Sequence, residues 1–402
     1  METLIARQPI FNVHRRLFAY ELLYRGTNSL SLDNMGGDRA TSRLLTSSFL
    51  TEGLEEISGN KPCFINFTEE LITKNIAENF PKNKIVIEIL EDVEPSAAVI
   101  AACKRLKQKG YTLALDDFVY AKKFLPLLEL ADIIKFDLLI TPLNTLHPIL
   151  YKLRGFNLKY LAEKIETYKE VGIAVKMGFS YFQGYFFARP ETVRIQELAS
   201  SKINLIQLLA EVNQKSLSTQ RLTEIVATDV ALSYKLLRWI NSAYFYTITE
   251  ITSITHAIAY LGEKEVRKFV TLVIISEMAT DKPDELIKLA TSRAKFCELL
   301  SRASTRKTDP NEIFMLGLFS LLPAMLDTPM VQILTRISLS PALHNALLGN
   351  KSPLSNYLLA VTTYEQQDMQ RCLAALMAIG VKQEKIYNIY LSSLKFADSL
   401  VG

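Results

Sequence analysis

Eight short apolar runs, nearly all ended by a polar or charged side chain, organise the first half of this sequence. They are Leu4 to Ile10, Leu17 to Leu23, Cys63 to Phe67, Ile85 to Ile89, Tyr111 to Leu115, Ile133 to Phe136, Tyr160 to Ala162 and Phe179 to Tyr185. Runs of this length, bounded by turn and polar residues, read as buried strands. Between them lie amphipathic stretches: Arg39 to Ile57, Ala97 to Lys109, Phe124 to Leu130 and Ile165 to Lys176. Strand alternating with helix implies parallel pairing through crossover helices, and about eight strands is the number that closes a barrel.

The residues that end these runs carry the chemistry. Glu21 ends the second run, Asn66 the third, Glu88 the fourth, Asp116 and Asp117 the fifth, Lys135 and Asp137 the sixth, Glu163 the seventh and Gln183 the eighth. In a closed barrel they converge on one mouth, at the carboxyl-terminal face. Neighbours on a strand point to opposite faces, so Asp116 and Asp117 can share one geometry only if the strand is already turning into its loop. Several carboxylates and an amide in one place repel one another, and a hard divalent cation with oxygen ligands relieves that repulsion. Magnesium or manganese fits; zinc does not, because His14, His147, His256 and His344 stand at no strand end with a partner. Lys135, in a buried strand, needs those carboxylates as counter-charges.

Composition sets the remaining bounds. The chain has 402 residues, 49% hydrophobic and 22% charged, enough for two or three domains. A net charge of +4 gives no argument for nucleic acid, and no DNA partner is expected. Cys63, Cys103, Cys297 and Cys372 lie far apart among apolar neighbours and read as reduced core thiols. No signal peptide is legible at the start, and the longest apolar stretch, Ile313 to Leu326, is too short to span a bilayer and contains Pro323. A cytoplasmic protein without a membrane partner is expected.

Past Pro190 the alternation stops. Glu191 to Lys202 is polar and helix-forming, without Gly or Pro, and marks a stiff boundary. Beyond it the apolar residues recur with helical period: Leu205, Leu208, Leu209 and Val212, then Leu222, Ile225 and Val226, then Leu232, Leu236, Leu237 and Ile240. An all-α domain is expected.

As an ordered set, the strand-end motifs resemble the EAL domain. They are Gln8-Pro9-Ile10, Tyr20-Glu21-Leu22-Leu23-Tyr24-Arg25, Phe64-Ile65-Asn66-Phe67, Ile87-Glu88-Ile89-Leu90-Glu91, Asp116-Asp117-Phe118, Lys135-Phe136-Asp137, Ala162-Glu163-Lys164-Ile165-Glu166-Thr167, and Gln183-Gly184-Tyr185 with Arg189-Pro190. That resemblance implies a modified (β/α)8 barrel, of the TIM type, that hydrolyses cyclic di-GMP to linear pGpG with two divalent metals, magnesium or manganese. It further implies that Glu21, Asn66, Glu88, Asp116, Asp117 and Glu166 hold metal, and that Lys135, Glu163 and Gln183 serve catalysis. Gln8 and Arg25 would contact substrate, Arg25 through a phosphate.

Departures from the family bear on activity. The loop Phe118-Val119-Tyr120-Ala121-Lys122-Lys123-Phe124 has no glycine where the family's loop is glycine-rich, Leu22 stands where the family has alanine, Gly26 where it often has tryptophan, Lys164 replaces a glycine, and the stretch between Asp137 and Ala162 is shorter than the family's. Residues such as Val119 and Tyr120 resist the positive φ that glycine allows.

Asp229 to Ala243 and Ile254 to Gly262 are similar to the HDOD domain, whose metal-dependent relatives carry a His-Asp pair. Here Ser320 and Leu321 stand in place of that pair, so no second catalytic centre is expected. His256 and Trp239 read as core residues.

The expected fold class is therefore α/β plus all-α, with an EAL barrel over 1–195 and an all-helical HDOD domain over 200–395. The expected function is cyclic di-GMP hydrolysis coupled to a signalling module that binds a protein partner, with a homodimer allowed for. The rival reading is a catalytically silent barrel that binds the dinucleotide, or only a protein, and relays the state through the helical half.

Overall fold

Only a short turn separates β1 (Thr3–Asn12) from β2 (Leu17–Gly26), too little chain for a crossover helix, so the two pair antiparallel as a hairpin. The remaining strands are β3 (Cys63–Phe67), β4 (Ile85–Ile89), β5 (Thr112–Leu115), β6 (Ile133–Asp137), β7 (Lys159–Glu163) and β8 (Tyr181–Gln183). All eight strands close a barrel in chain order, parallel from β2 to β8, with β1 antiparallel to both neighbours. Strict alternation of strand and crossover helix thus fails at the first pair. The reversal brings the early part of β1, rather than its end, to the barrel mouth.

The structure, a computed structural model, describes residues 3–26, 54–59, 61–189, 200–214, 217–242, 245, 251–337 and 339–401. They divide into two compact units, Met1–Phe187 and Ala188–Gly402. Most of the stretch Arg39 to Ile57, and most of the boundary Glu191 to Lys202, lie outside the described residues.

Local chemistry sets the barrel helices. Ser96 caps Ala97–Gln108, whose last turn carries Arg105 and Lys107 at the negative end of the helix dipole. The apolar stretch that begins at Ile165 becomes helical only at Tyr168–Lys176, because Thr167 and Glu170 form a reciprocal capping box there. Ile165 instead donates its N–H to Gln183 O at 3.0 Å. Gly184, at φ 141°, leaves room for this approach: a Cβ there would lie 2.1 Å from Ile165 O.

In the second unit every described element is helical, from Ser200–Val212 to Ile386–Val401. The three apolar sets read from the sequence fall on Ser200–Val212, Thr219–Thr228 and Val230–Ile240. Helix Pro310–Phe319 meets helix Asp284–Ala303 at Gly317, where a Cβ would lie 2.7 Å from Arg293 O. Trp239 is a core residue, stacked on Phe269 with ring centroids 5.0 Å apart. His256 is not: it is exposed in the first turn of Ile254–Leu261, its N–H capped by Ser253 Oγ at 3.2 Å. The helix starts at the residue after Ser253, so the capped first turn lies at the solvent face. Among the described residues no helix is long and apolar enough to cross a membrane.

All four cysteines are buried free thiols. Burial pushes Cys63, Cys103 and Cys372 up to about 12 and raises Cys297 as well.

Candidate active site

One apolar cluster takes a single side chain from each strand: Ile10, Ala19, Phe64, Val86, Ala114, Ile133, Leu161 and Tyr181. A cluster touching all eight strands can only fill the barrel interior. Side chains on a strand repeat every second residue, so the positions two residues nearer the mouth also face inward. Those positions are Gln8, Glu21, Asn66, Glu88, Asp116, Lys135, Glu163 and Gln183. The site is therefore the layer above the apolar plug. β1 contributes by counting backwards, as its reversal requires.

Lys135 Nζ stands at the centre. It lies 2.8 Å from Asp116 Oδ1, 2.7 Å from Glu163 Oε1 and 3.6 Å from Glu21 Oε1, and it also touches Glu88. Glu88 Oε1 is the oxygen that meets the Lys135 ammonium, and Glu88 Oε2 is buried without a donor. Gln183 Nε2 donates to Gln8 Oε1 at 2.9 Å and to Glu21 Oε2, which joins β8, β1 and β2 across the closure.

Burial and charge crowding set the electrostatics. Burial raises Glu88 well above the ordinary carboxylate range; Lys135 opposes this, while Glu21 and Asp116 add to it. Glu163 rises for the same reasons, burial first, with Lys135 opposing and Glu21 and Asp116 adding. Burial pulls Lys135 down, but Glu163, Glu21, Glu88 and Asp116 outweigh it and hold the ammonium well above its usual value. One lysine faces more negative charge than it can neutralise.

The donor set fits a hard divalent cation. Asp116, Asp117 and Glu163 each offer an oxygen, and these three atoms lie within 4.8 Å of one another. Asn66 Oδ1, Glu88 Oε2 and Gln183 Oε1 are buried acceptors with no hydrogen-bond donor. Orphaned buried acceptors are costly, and a cation would satisfy them. Asp116 and Asp117 share the site because β5 has already ended: Asp117 takes a left-handed backbone, φ 38°, and turns its carboxylate back toward the mouth. The positive φ that Val119 and Tyr120 resist thus falls on an aspartate, which tolerates it better than a branched or bulky residue. A cavity of about 300 Å³ opens beside the pair, lined by Ile89, Glu91, Phe118, Phe124 and Ile140 among others.

Not every expected residue joins this set. Glu166 is exposed on the segment before helix Tyr168–Lys176 and stands outside the buried layer. Arg25 lies on β2, but its side chain is outside the described residues. Conversely, Lys164 Nζ donates to Asp137 Oδ2, a pair of strand-end charges that reading one strand at a time does not reveal.

The EAL domain model matches residues 55–190 and the HDOD domain model residues 198–326. Cyclic di-GMP phosphodiesterase CdgJ of Vibrio cholerae is 33% identical over 401 residues, covering 99% of this chain and 93% of that protein. The chain belongs to the EAL–HDOD family. An uncharacterized Bacillus subtilis protein, YuxH, is 35% identical over 411 residues, covering 100% of this chain and 99% of its own length. Among solved structures, a standalone EAL protein from Vibrio cholerae O395, bound to c-di-GMP, is 26% identical, with TM-score 0.38, over 47% of this chain and 92% of that one. Klebsiella pneumoniae BlrP1, a calcium/cy-diGMP complex, is 20% identical, with TM-score 0.39, over 47% of this chain and 56% of that one.

The HDOD half has its own buried charges. Ser320 Oγ accepts from Arg293 Nη1 at 2.9 Å, while Arg293 Nε and Nη2 fork onto Glu365 at 3.1 and 2.6 Å. A guanidinium thus occupies the neighbourhood of Ser320. Among the described residues, the one group spaced for a metal is Asp116, Asp117 and Glu163, in the EAL half.

Proposed function

We propose that this protein hydrolyses cyclic di-GMP to linear pGpG at the mouth of its EAL barrel, in the cytoplasm, with two divalent cations, magnesium or manganese. The observation that carries this reading is the inward layer of Glu21, Asn66, Glu88, Asp116, Lys135, Glu163 and Gln183, with its orphaned acceptors. The kinship with CdgJ, named as a cyclic di-GMP phosphodiesterase, supports it over nearly the whole chain. Glu21, Asn66, Glu88, Asp116 and Asp117 would hold the cations, which when bound polarise a phosphoryl oxygen and acidify water.

The protein's own residues do the rest. Glu163, 2.7 Å from Lys135 Nζ and within the same layer, takes the proton of the attacking water. Lys135 stays an ammonium, orienting that water and meeting negative charge as it develops on the phosphate. Gln183 fixes Glu21 and Gln8 relative to each other, and Gln8 presents its amide to the substrate. Arg25 pairs with a substrate phosphate through its forked guanidinium. The HDOD half contributes no second catalytic centre and passes the state of the barrel to a protein partner.

Turnover of cyclic di-GMP by the purified protein in magnesium or manganese, beside Glu21→Ala, tests this, with calorimetric binding in calcium as companion. Product that depends on Glu21 supports the phosphodiesterase. Binding without product makes the barrel a sensor, and neither result leaves a protein that works through its partner alone.

A further inference from the structure

Lys164 follows Glu163 directly but is not part of the inward layer. Its backbone is left-handed, φ 56°, a conformation that side chains other than Gly, Asn and Asp rarely adopt. From there its ammonium reaches Asp137 Oδ2 across the β6–β7 edge. Asp137 is 3% exposed, and its other oxygen already accepts the Leu139 N–H at 2.7 Å. Both oxygens of Asp137 are therefore engaged.

The two lysines divide the mouth between them. Lys135 contacts Glu21, Glu88, Asp116 and Glu163. Lys164 holds Asp137 and lies close enough for its charge to act on Asp117 and Glu163. Neither lysine forms an ion pair with Asp117, a half-buried carboxylate of the trio spaced for a cation. Lys164 is 54% exposed, so its ammonium can swing into solvent without disturbing the core.

We propose that Lys164 is a tethered competitor for the outer cation: its ammonium at Asp137 disfavours a divalent ion beside Asp117, and the ion enters as the ammonium swings away. The inference rests on the proposed metal-dependent site and adds to it an internal charge that makes the two ions unequal. A protein with this arrangement would hold one ion firmly and respond to the free concentration of the second.

Manganese binding to the full-length protein without dinucleotide, followed by electron paramagnetic resonance of the free ion and by calorimetry, tests it. The wild type should bind one ion tightly and the second more weakly. Removal of a charge at this range should tighten the second ion roughly tenfold or more in Lys164→Gly and in Lys164→Gln. Lys164→Gly relieves the left-handed backbone but leaves the buried Asp137 without its cation, so a thermal melt of each variant accompanies the titration and only folded variants are compared. Lys164→Gln separates charge from backbone, and Lys164→Arg should keep the weak second ion.

Equal stoichiometry and affinity in wild type, Lys164→Gly and Lys164→Gln would overturn the inference. So would a gain in Lys164→Gly alone, which would assign the effect to the backbone. No manganese bound by any of them would remove the inference and the metal site together, and turnover of cyclic di-GMP by the same wild-type preparation tells that failure from the narrower one.

Discussion

The two units bury charge in opposite ways. In the barrel, Lys135 stands among Glu21, Glu88, Asp116 and Glu163, and acceptors on Asn66, Glu88 and Gln183 go without a donor. In the helical unit, the fully buried Glu298 meets Lys268 at 2.7 Å, Lys295 at 2.9 Å and Arg302 at 2.6 Å. Burial pushes Glu298 up as it does Glu88, but Lys268 and Lys295 outweigh it and hold Glu298 below its ordinary value. Two glutamates without exposed surface thus shift in opposite directions, and the cations beside Glu298 outweigh its burial where the single lysine beside Glu88 does not. The helical centre is complete as it stands. The barrel mouth is short of positive charge, which is the state of a site fitted to receive a cation.

Mutation should affect the two units differently. The largest effect should be in turnover: Glu163→Gln removes the proposed base and should lower kcat by about 10²–10⁴-fold. Unchanged turnover in that variant would dissolve the proposed role of the mouth. Next, Glu298→Gln takes one of two carboxylates from the buried Lys268, which keeps Glu265 at 2.9 Å, and should cost the helical unit about 1–3 kcal/mol. In metal-free protein Glu88→Gln should cost the barrel nothing or stabilise it, because it relieves repulsion with Glu21 and Asp116. Urea unfolding separates the two, with Trp239, the single tryptophan, reporting the helical unit and hydrogen exchange in β4 reporting the barrel.

The pH dependence should sharpen the contrast. Glu88 and Glu163 are raised in the fold, so in chelator their contribution to stability is full below their ordinary value of 4.5 and is lost as pH rises through the raised values. Glu298 is lowered, so its contribution is present above 4.5 and is lost as pH falls through the lowered value. Thermal midpoints of the metal-free protein should therefore decline with rising pH in the barrel and with falling pH in the helical unit. Parallel slopes would contradict the comparison. The smallest expected signal is chemical: with Cys63, Cys103 and Cys372 held at about 12, no thiol should react with a disulfide reagent at neutral pH until the chain unfolds.

Much of this was legible in residue order. The runs at β3 and β4 match the strands residue for residue, because short, continuous apolar segments have few other ways to bury themselves. Asp116 and Asp117 together implied a strand already turning, and the left-handed φ of Asp117 is that turn. The hairpin at β1 escaped the alternation rule, although the short gap between the two runs was a usable signal. His256 escaped because an apolar helical pattern does not say which turn meets solvent. Glu166 was named through its motif alone; it lies exposed just before the helix that the capping box at Thr167 starts.

By itself the sequence determined which side chains share the barrel interior: strand period is a local property of the backbone, so a residue two places beyond a plug residue faces inward once the barrel closes. Only the tertiary structure decided the balance of charge. Which carboxylates share Lys135, which one Lys164 takes, and whether a buried glutamate is pushed up or held down depend on distances between strands and helices far apart in the chain. Electrostatic energy follows those distances, and residue order does not contain them.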